Sequence, residues 1–278
     1  MTKKLSPKLS SSLTAIKNRK SDTVLLNKIK AGLSNNEFKM HIQFIVDSKT
    51  KKLVLSEALS RWETVEDGVI LPGKYIGLME KSGLIIDFDY YMFEKVCQKL
   101  SEWVGTEFKD VFVACNFTRI TISENDFADK IKEIADKYEF DRSKLIMEIT
   151  EDTIERNLGV AKNNIKKVKE LGFCIALDDI GTGCTSFISL CEYPVDIVKL
   201  DREVLLLTQR EMGKKLFLGV ISLLHSLNLK VVCEGVETEE QNVLACESEC
   251  DYIQGWYYTK ALPEDRAEEF AREYARKF

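Results

Sequence analysis

One unit recurs along this chain: an apolar run of strand length that ends in an acidic or amide residue, followed by a stretch of helical periodicity. Leu53-Val54-Leu55 runs into Glu57, Val111 to Cys115 into Asn116, and Leu145-Ile146-Met147 into Glu148. Phe173 to Leu177 runs into Asp178-Asp179, Val195 to Val198 into Lys199, Leu229 to Cys233 into Glu234, and Tyr252-Ile253 into Gln254. Between them lie helical segments such as Tyr90 to Trp103, Phe127 to Tyr138, Ala161 to Leu171 and Lys214 to Leu227. Strands alternating with helices imply parallel strands joined by crossovers, and short, wholly apolar strands imply burial on both faces.

Seven such units, with an eighth strand at His41 to Val46, suit a (β/α)8 barrel, an α/β fold of about 250 residues. The chain has 278 residues, enough to bury a sizeable core. A doubly wound open sheet is the competing fold. It is disfavoured because no glycine-rich phosphate turn follows the first strand and because polar residues close every strand, not those at one switch point. The expected organisation is a basic leader over residues 1–20 and one barrel domain over 21–278. A helix is expected from about residue 21 on Val24, Leu25, Ile29 and Leu33, ended by Asn35-Asn36.

Charge narrows the function. Net charge is -5, yet the first thirty residues hold eight Lys/Arg against Asp22 alone, so an acidic body carrying -12 follows a leader of +7. With a pI near 5.4, a protein that coats a nucleic-acid polymer is excluded. The leader reads as a solvated tail, with an anionic membrane or a partner as the alternative. The eight cysteines show no CxxC and sit mostly in apolar runs, so reduced buried thiols are expected. With no signal-peptide core and no uninterrupted apolar span, a cytoplasmic protein without transmembrane segments is expected.

In a barrel the strand ends converge on one face. Glu57, Asn116, Glu148, Asp178, Asp179, Lys199 and Glu234 would meet there, with Glu237 one turn on. So many carboxylates with a single lysine repel one another unless cations lie among them. Oxygen ligands select hard divalent ions, Mg2+ or Mn2+; a zinc site would draw on His or Cys, and His41 and His225 lie away from the cluster. Adjacent Asp178 and Asp179 point in different directions from a strand end, which suits a two-metal centre acting on a phosphoryl group. Lys199 shares a strand face with Asp201 and could polarise a water, and Arg61 offers a fork for a phosphate. Each acidic strand end is also a candidate helix cap, although seven in succession exceed what capping asks for. Glu151 braces a neighbouring loop. The segment Asp178 to Ser186, rich in Gly and hydroxyls, is a flexible loop or one that moves beside the metals.

The string Glu57-Ala58-Leu59-Ser60-Arg61-Trp62 resembles the signature of the EAL-domain family of cyclic di-GMP phosphodiesterases, over about residues 25 to 275. Further blocks follow in order: Gln43, Asn116-Phe117-Thr118, Glu148 to Glu151, Asp178-Asp179, Gly181-Thr182-Gly183, Lys199-Leu200-Asp201, Glu234 to Glu237 and Gln254-Gly255. The resemblance implies a TIM-like barrel with one antiparallel strand, a homodimer, and hydrolysis of cyclic di-GMP to linear pGpG in bacterial signalling. It implies that Glu57, Asn116, Glu148 and Asp178 hold one metal and that Asp178, Asp179 and Glu234 surround the other. Lys199 and Glu234 are then the candidates for activating water, with the choice of base open, and Glu237 supports the site. Gln43, Arg61, Gln254 and Asp201 would hold the ligand.

The chain departs from the family pattern at Phe44, Ile180, Cys184, Phe187 and Ala261, none of them a ligand position. The changes from Ile180 to Phe187 fall in the loop that, in the family, couples the dimer to the metals. Two other readings are carried: a catalytically weak or inactive cyclic di-GMP receptor or interaction module, and an unrelated metal-dependent barrel lyase.

Overall fold

A strand alternates its faces with period two, so the residue two before a polar strand end shares the face of that end. The computed structural model describes residues 22–150, 153, 159–181, 190 and 193–277. The leader over 1–20, Glu151, Cys184, Cys191 and most of the loop from Ile180 to Phe187 lie outside the described residues. The chain divides into two compact units. The larger comprises Met40–Leu59 and the chain from Ile86 onward; the smaller comprises the chain up to Lys39 and Ser60–Ile85.

Eight strands build the barrel, β1 and β2 belonging to the larger unit only from Met40 and up to Leu59: β1 (Phe38–Asp47), β2 (Leu53–Thr64), β4 (Phe112–Phe117), β5 (Leu145–Thr150), β6 (Cys174–Ile180), β7 (Ile197–Leu200), β8 (Lys230–Cys233) and β9 (Tyr252–Ile253). They hydrogen-bond in the order β1-β9-β8-β7-β6-β5-β4-β2, and β2 pairs back with β1, which closes the sheet. From β2 round to β9 every pairing is parallel, whereas β1 runs antiparallel to β9 through Val46↔Ile253. This is the TIM-like barrel with one reversed strand. A short strand β10 (Leu262–Pro263) adds to β1 at His41 and Ile42. Helices Ile85–Trp103, Phe127–Ala135, Val160–Glu170 and Glu211–Ser226 lie where the periodicity places them, within a few residues at each end. Among the described residues no helix is long and apolar enough to cross a membrane.

The period-two rule also explains the barrel's interior. Leu55, Ala114, Ile146, Ala176, Ile197 and Val232 pack in one buried cluster with Ile45. Each of the first six lies two residues before a polar residue of the ring, Glu57, Asn116, Glu148, Asp178, Lys199 or Glu234, although β2 does not end at Glu57 as its apolar run suggests but continues to Thr64. Ile45 lies two after Gln43, as a strand of reversed direction requires. An apolar layer therefore underlies the polar ring and anchors it, each fully buried Leu, Ile or Val contributing about 1.5–3 kcal/mol.

In the smaller unit a helix spans 22–34, and Trp62↔Ile70, Glu63↔Val69 and Thr64↔Gly68 join β2 to β3 (Gly68–Ile70). Phe38 stacks on Trp62 at 5.3 Å and meets Tyr75 edge-on at 5.2 Å. The Trp62 indole donates to Glu37 at 2.9 Å. The described cysteines are free thiols, with Cys97, Cys115, Cys233 and Cys250 buried and Cys174 and Cys246 half-buried.

Candidate active site

Lys199 is the hub of the polar ring. Its side chain is 2% exposed, and its Nζ lies 2.8 Å from Glu234, 2.9 Å from Glu148, 3.1 Å from Asp178 and 3.4 Å from Glu57. An ammonium out of water is stable only with such partners. Burial works against its charge, but Asp178, Glu148, Glu234 and Glu57 outweigh it and hold the pKa well above the ordinary lysine value.

One cation cannot neutralise all its neighbours, and the carboxyls divide accordingly. Burial opposes ionisation of Glu57, yet Lys199 and the amides of Gln254 and Asn116 hold its pKa below the usual value. The Asn116 Nδ2 donates to Glu57 at 2.8 Å and the Gln254 Nε2 at 2.7 Å. Burial, with Glu57 beside it, pushes Glu148 well above the usual range. Burial likewise raises Glu234 to about 8, Asp178 and Glu57 adding to it against Lys199.

The adjacent aspartates reach one place because β6 is irregular. Its register against β7 shifts between Leu177 and Ile180, and Asp179 takes a left-handed backbone with φ 60°. In a regular strand Asp178 and Asp179 would face opposite sides; the bulge re-aims one of them. Carboxylate oxygens of Asp178, Asp179 and Glu234 consequently lie within 4.8 Å of one another. Asp179 exposes much of its surface, but lost hydration on the crowded side, with Asp178 beside it, raises its pKa.

A divalent metal fits these residues. The donors are hard oxygens, and Glu148 Oε2 is buried with no hydrogen-bond partner among the described residues. Asn116 spends its Nδ2 on Glu57, which leaves its Oδ1, the atom a hard cation takes.

A cavity of about 240 Å³ opens beside the ring, lined by Gln43, Asp201, Arg202, Glu234, Gly235, Glu237, Gln254, Gly255 and Trp256. Gln43 donates to the Thr259 carbonyl at 3.0 Å, and its Oε1 lies 3.4 Å from Gln254 Nε2, so the two glutamines link β1 to the β9 end. Asp201 leaves β7 one residue after Leu200 and caps helix Arg202–Leu207, accepting from the Glu203 N–H at 2.7 Å. Glu237 is held by Arg202 at 2.8 Å, just before the Thr238–Gln241 capping box. Arg61 belongs to the smaller unit, where it donates to the Ser60 carbonyl at 2.8 Å.

Sequence reading missed Arg202 and Trp256. Trp256 is 61% exposed on the cavity, with Lys260 4.7 Å from its ring centre. Position alone could have found both side chains, since they directly follow Asp201 and Gln254-Gly255. The hub role of Lys199 carries no sequence signal beyond its place at a strand end.

A family model described as EAL domain matches residues 26–261. Signaling protein YkoW of Bacillus subtilis is 31% identical over 253 residues, which is 90% of this chain and 32% of YkoW. The bifunctional diguanylate cyclase/cyclic di-GMP phosphodiesterase MucR of Pseudomonas aeruginosa is 28% identical over 243 residues, 87% of this chain and 36% of MucR. A solved structure, PaMucR phosphodiesterase in its c-di-GMP complex, superposes with a TM-score of 0.83 at 27% identity, over 87% of this chain and 99% of that one. The chain spans about a third of the length of these curated relatives.

Proposed function

We propose, on the premise that this chain belongs to the EAL domain family, that it is a metal-dependent phosphodiesterase that opens one phosphodiester of cyclic di-GMP to give linear pGpG. The observation that carries this reading is the acidic cluster at the ends of β6 and β8: three carboxylates with oxygens within 4.8 Å, beside the buried Oε2 of Glu148, which has no hydrogen-bond partner among the described residues. Glu57, Asn116, Glu148 and Asp178 would hold one Mg2+ or Mn2+, and Asp178, Asp179 and Glu234 the other. When bound, such ions neutralise the carboxylates, polarise a phosphodiester and acidify an attacking water.

The chain's own residues divide the remaining work. Lys199, an ammonium shared by four carboxylates, orients their oxygens and is not free to accept a proton. Glu234, at the edge of the cavity, is the carboxylate placed to take the proton of the attacking water. Gln43 and Gln254 present amides, and Asp201 a capping carboxylate, towards a ligand in the cavity. Glu237, gripped by Arg202, keeps the β8 loop in place.

The test is chromatography of purified protein incubated with cyclic di-GMP and either ion. Linear pGpG is expected with Mg2+ or Mn2+, none with a chelator, and none from Glu57→Gln. Tight binding without product in metal-replete buffer would replace this reading with that of a receptor.

A further inference from the structure

Lys51 and Cys246 are 195 residues apart in sequence, and the Nζ of one lies 2.7 Å from the Sγ of the other. Sulfur is larger than oxygen, yet this is the separation of a nitrogen–oxygen hydrogen bond. Three other sulfur contacts among the described residues are longer: Cys174 is 3.3 Å from the Ser143 carbonyl, and Cys246 itself is 3.8 Å from the Ser48 carbonyl and from Asn242 Oδ1. A non-bonded nitrogen and sulfur at 2.7 Å repel, whereas two atoms bonded to one shared oxygen rest at about that distance.

We propose that Lys51 and Cys246 are the site of an oxidation-dependent covalent bridge, Lys–NH–O–S–Cys. Both side chains are half-buried, so a small oxidant reaches them, whereas Cys97, Cys115, Cys233 and Cys250 are buried. Lys51 is held in place by the β1–β2 turn, its N–H bonded to the Asp47 carbonyl at 2.9 Å while the Asp47 carboxylate binds Lys49 and Thr50. Cys246 sits in the last turn of helix Glu239–Glu247. The two groups are thus carried by separate elements that already bring them together.

The oxidant is hydrogen peroxide, and two equivalents balance the reaction. The first transfers oxygen to Cys246, giving a sulfenic acid and one water, with two electrons taken from sulfur. The Lys51 amine, its extra proton released to solvent, then bonds through nitrogen to the sulfenic oxygen. The second peroxide takes one hydrogen from that hydroxyl and one from the amine, accepts two electrons from nitrogen and leaves as two waters. Two equivalents of a dithiol reverse both steps, returning amine, thiol and water.

The bridge would tie the β1–β2 turn to the helix that begins just after Glu237. The full-length chain is treated with peroxide, alkylated, digested and mapped by mass spectrometry, with thermal unfolding followed in parallel. A Lys51 peptide joined to a Cys246 peptide is expected, heavier than their sum by one oxygen and lighter by two hydrogens. It should vanish with dithiothreitol and in Lys51→Arg and Cys246→Ser, and the bridged protein should unfold at higher temperature. Cys174, whose contact is a carbonyl oxygen, should gain oxygen only. Oxygen adducts on Cys246 with Lys51 left in an unlinked peptide would overturn the proposal, as would the same linked mass in Lys51→Arg.

Discussion

Lys199 illustrates how far one residue's role depends on the charges packed around it. Its ammonium contacts four carboxyls, and among them Glu148 and Glu234 have raised pKa values while Glu57 is lowered. In metal-free protein this sets a pH dependence of stability. The folded state keeps the Glu234 proton up to about 8, whereas the unfolded chain releases it near the ordinary 4.5. Between those values the folded state binds more protons, so stability falls as pH rises. Glu148 and Asp179, both raised, act in the same direction. The lowered pKa of Glu57 acts in the opposite direction, but only below its ordinary value, outside this window. The melting temperature in chelator should therefore decline from pH about 4.5 to about 8, and Glu234→Gln should flatten part of that decline. A wild-type curve that is flat across this range would mean the ring is not desolvated as described.

At the scale of elements, the site rests on two loops whose backbones touch. Val236 donates to the Gln254 carbonyl at 3.1 Å and Tyr257 to the Val236 carbonyl at 3.0 Å, so the β8 and β9 ends interlock. A Cβ on Gly255 would stand 2.0 Å from the Val236 carbonyl oxygen and 2.4 Å from its nitrogen. Gly255→Ala should therefore push the loops apart, dislodge Gln254 from Glu57, and weaken cyclic di-GMP binding in calorimetric titration. Its stability cost in urea unfolding should be about 1–3 kcal/mol, the usual range for overpacking. Binding at wild-type strength would show that the loops yield elsewhere. These elements also mark where sequence stops being readable. Strands carrying Glu57, Asn116, Glu148 and Lys199 were legible because a buried barrel strand is an apolar run closing on a polar residue, and period two then supplies the layer beneath; the continuation of β2 past Glu57 to Thr64 was not. The β6 bulge was not, because one left-handed residue at Asp179 leaves the hydrophobic pattern unchanged. Nor was the use of Asp201 as a helix cap, since a capping aspartate and a ligand aspartate are spelled the same.

Across the whole barrel, acidic residues at its two ends do opposite things. At the ends where strands begin, Asp196 accepts from the Ile175 N–H at 2.8 Å and from Lys169 at 2.6 Å. Asp251 does the same for Val231 at 2.9 Å, with Lys230 at 2.7 Å and His225 at 2.9 Å. Each aspartate thus satisfies the N–H of the second residue of a neighbouring strand and carries its own basic partner. Burial opposes the charge of Asp251, but Lys230, the Val231 N–H and His225 hold its pKa below the ordinary value. Its stabilisation is therefore present above about the ordinary carboxylate pKa and fades as pH falls through the lower folded value. At the strand-end mouth, by contrast, carboxyls crowd without enough cations, and folding works against their repulsion. Asp251→Asn should cost about 1.5–3 kcal/mol at neutral pH, as charged hydrogen bonds do, and converge with wild type in acid, leaving turnover per folded molecule unchanged. Asp179→Asn should do the reverse. Asparagine tolerates the left-handed backbone, so the change removes repulsion without adding strain and raises stability in chelator, while lowering the gain that Mg2+ gives. Urea unfolding of both variants, each with chelator and with Mg2+, reads the two signs directly. If Asp179→Asn lost stability in chelator as Asp251→Asn does, the acids of the mouth would be structural, and the case for cations among them would fall.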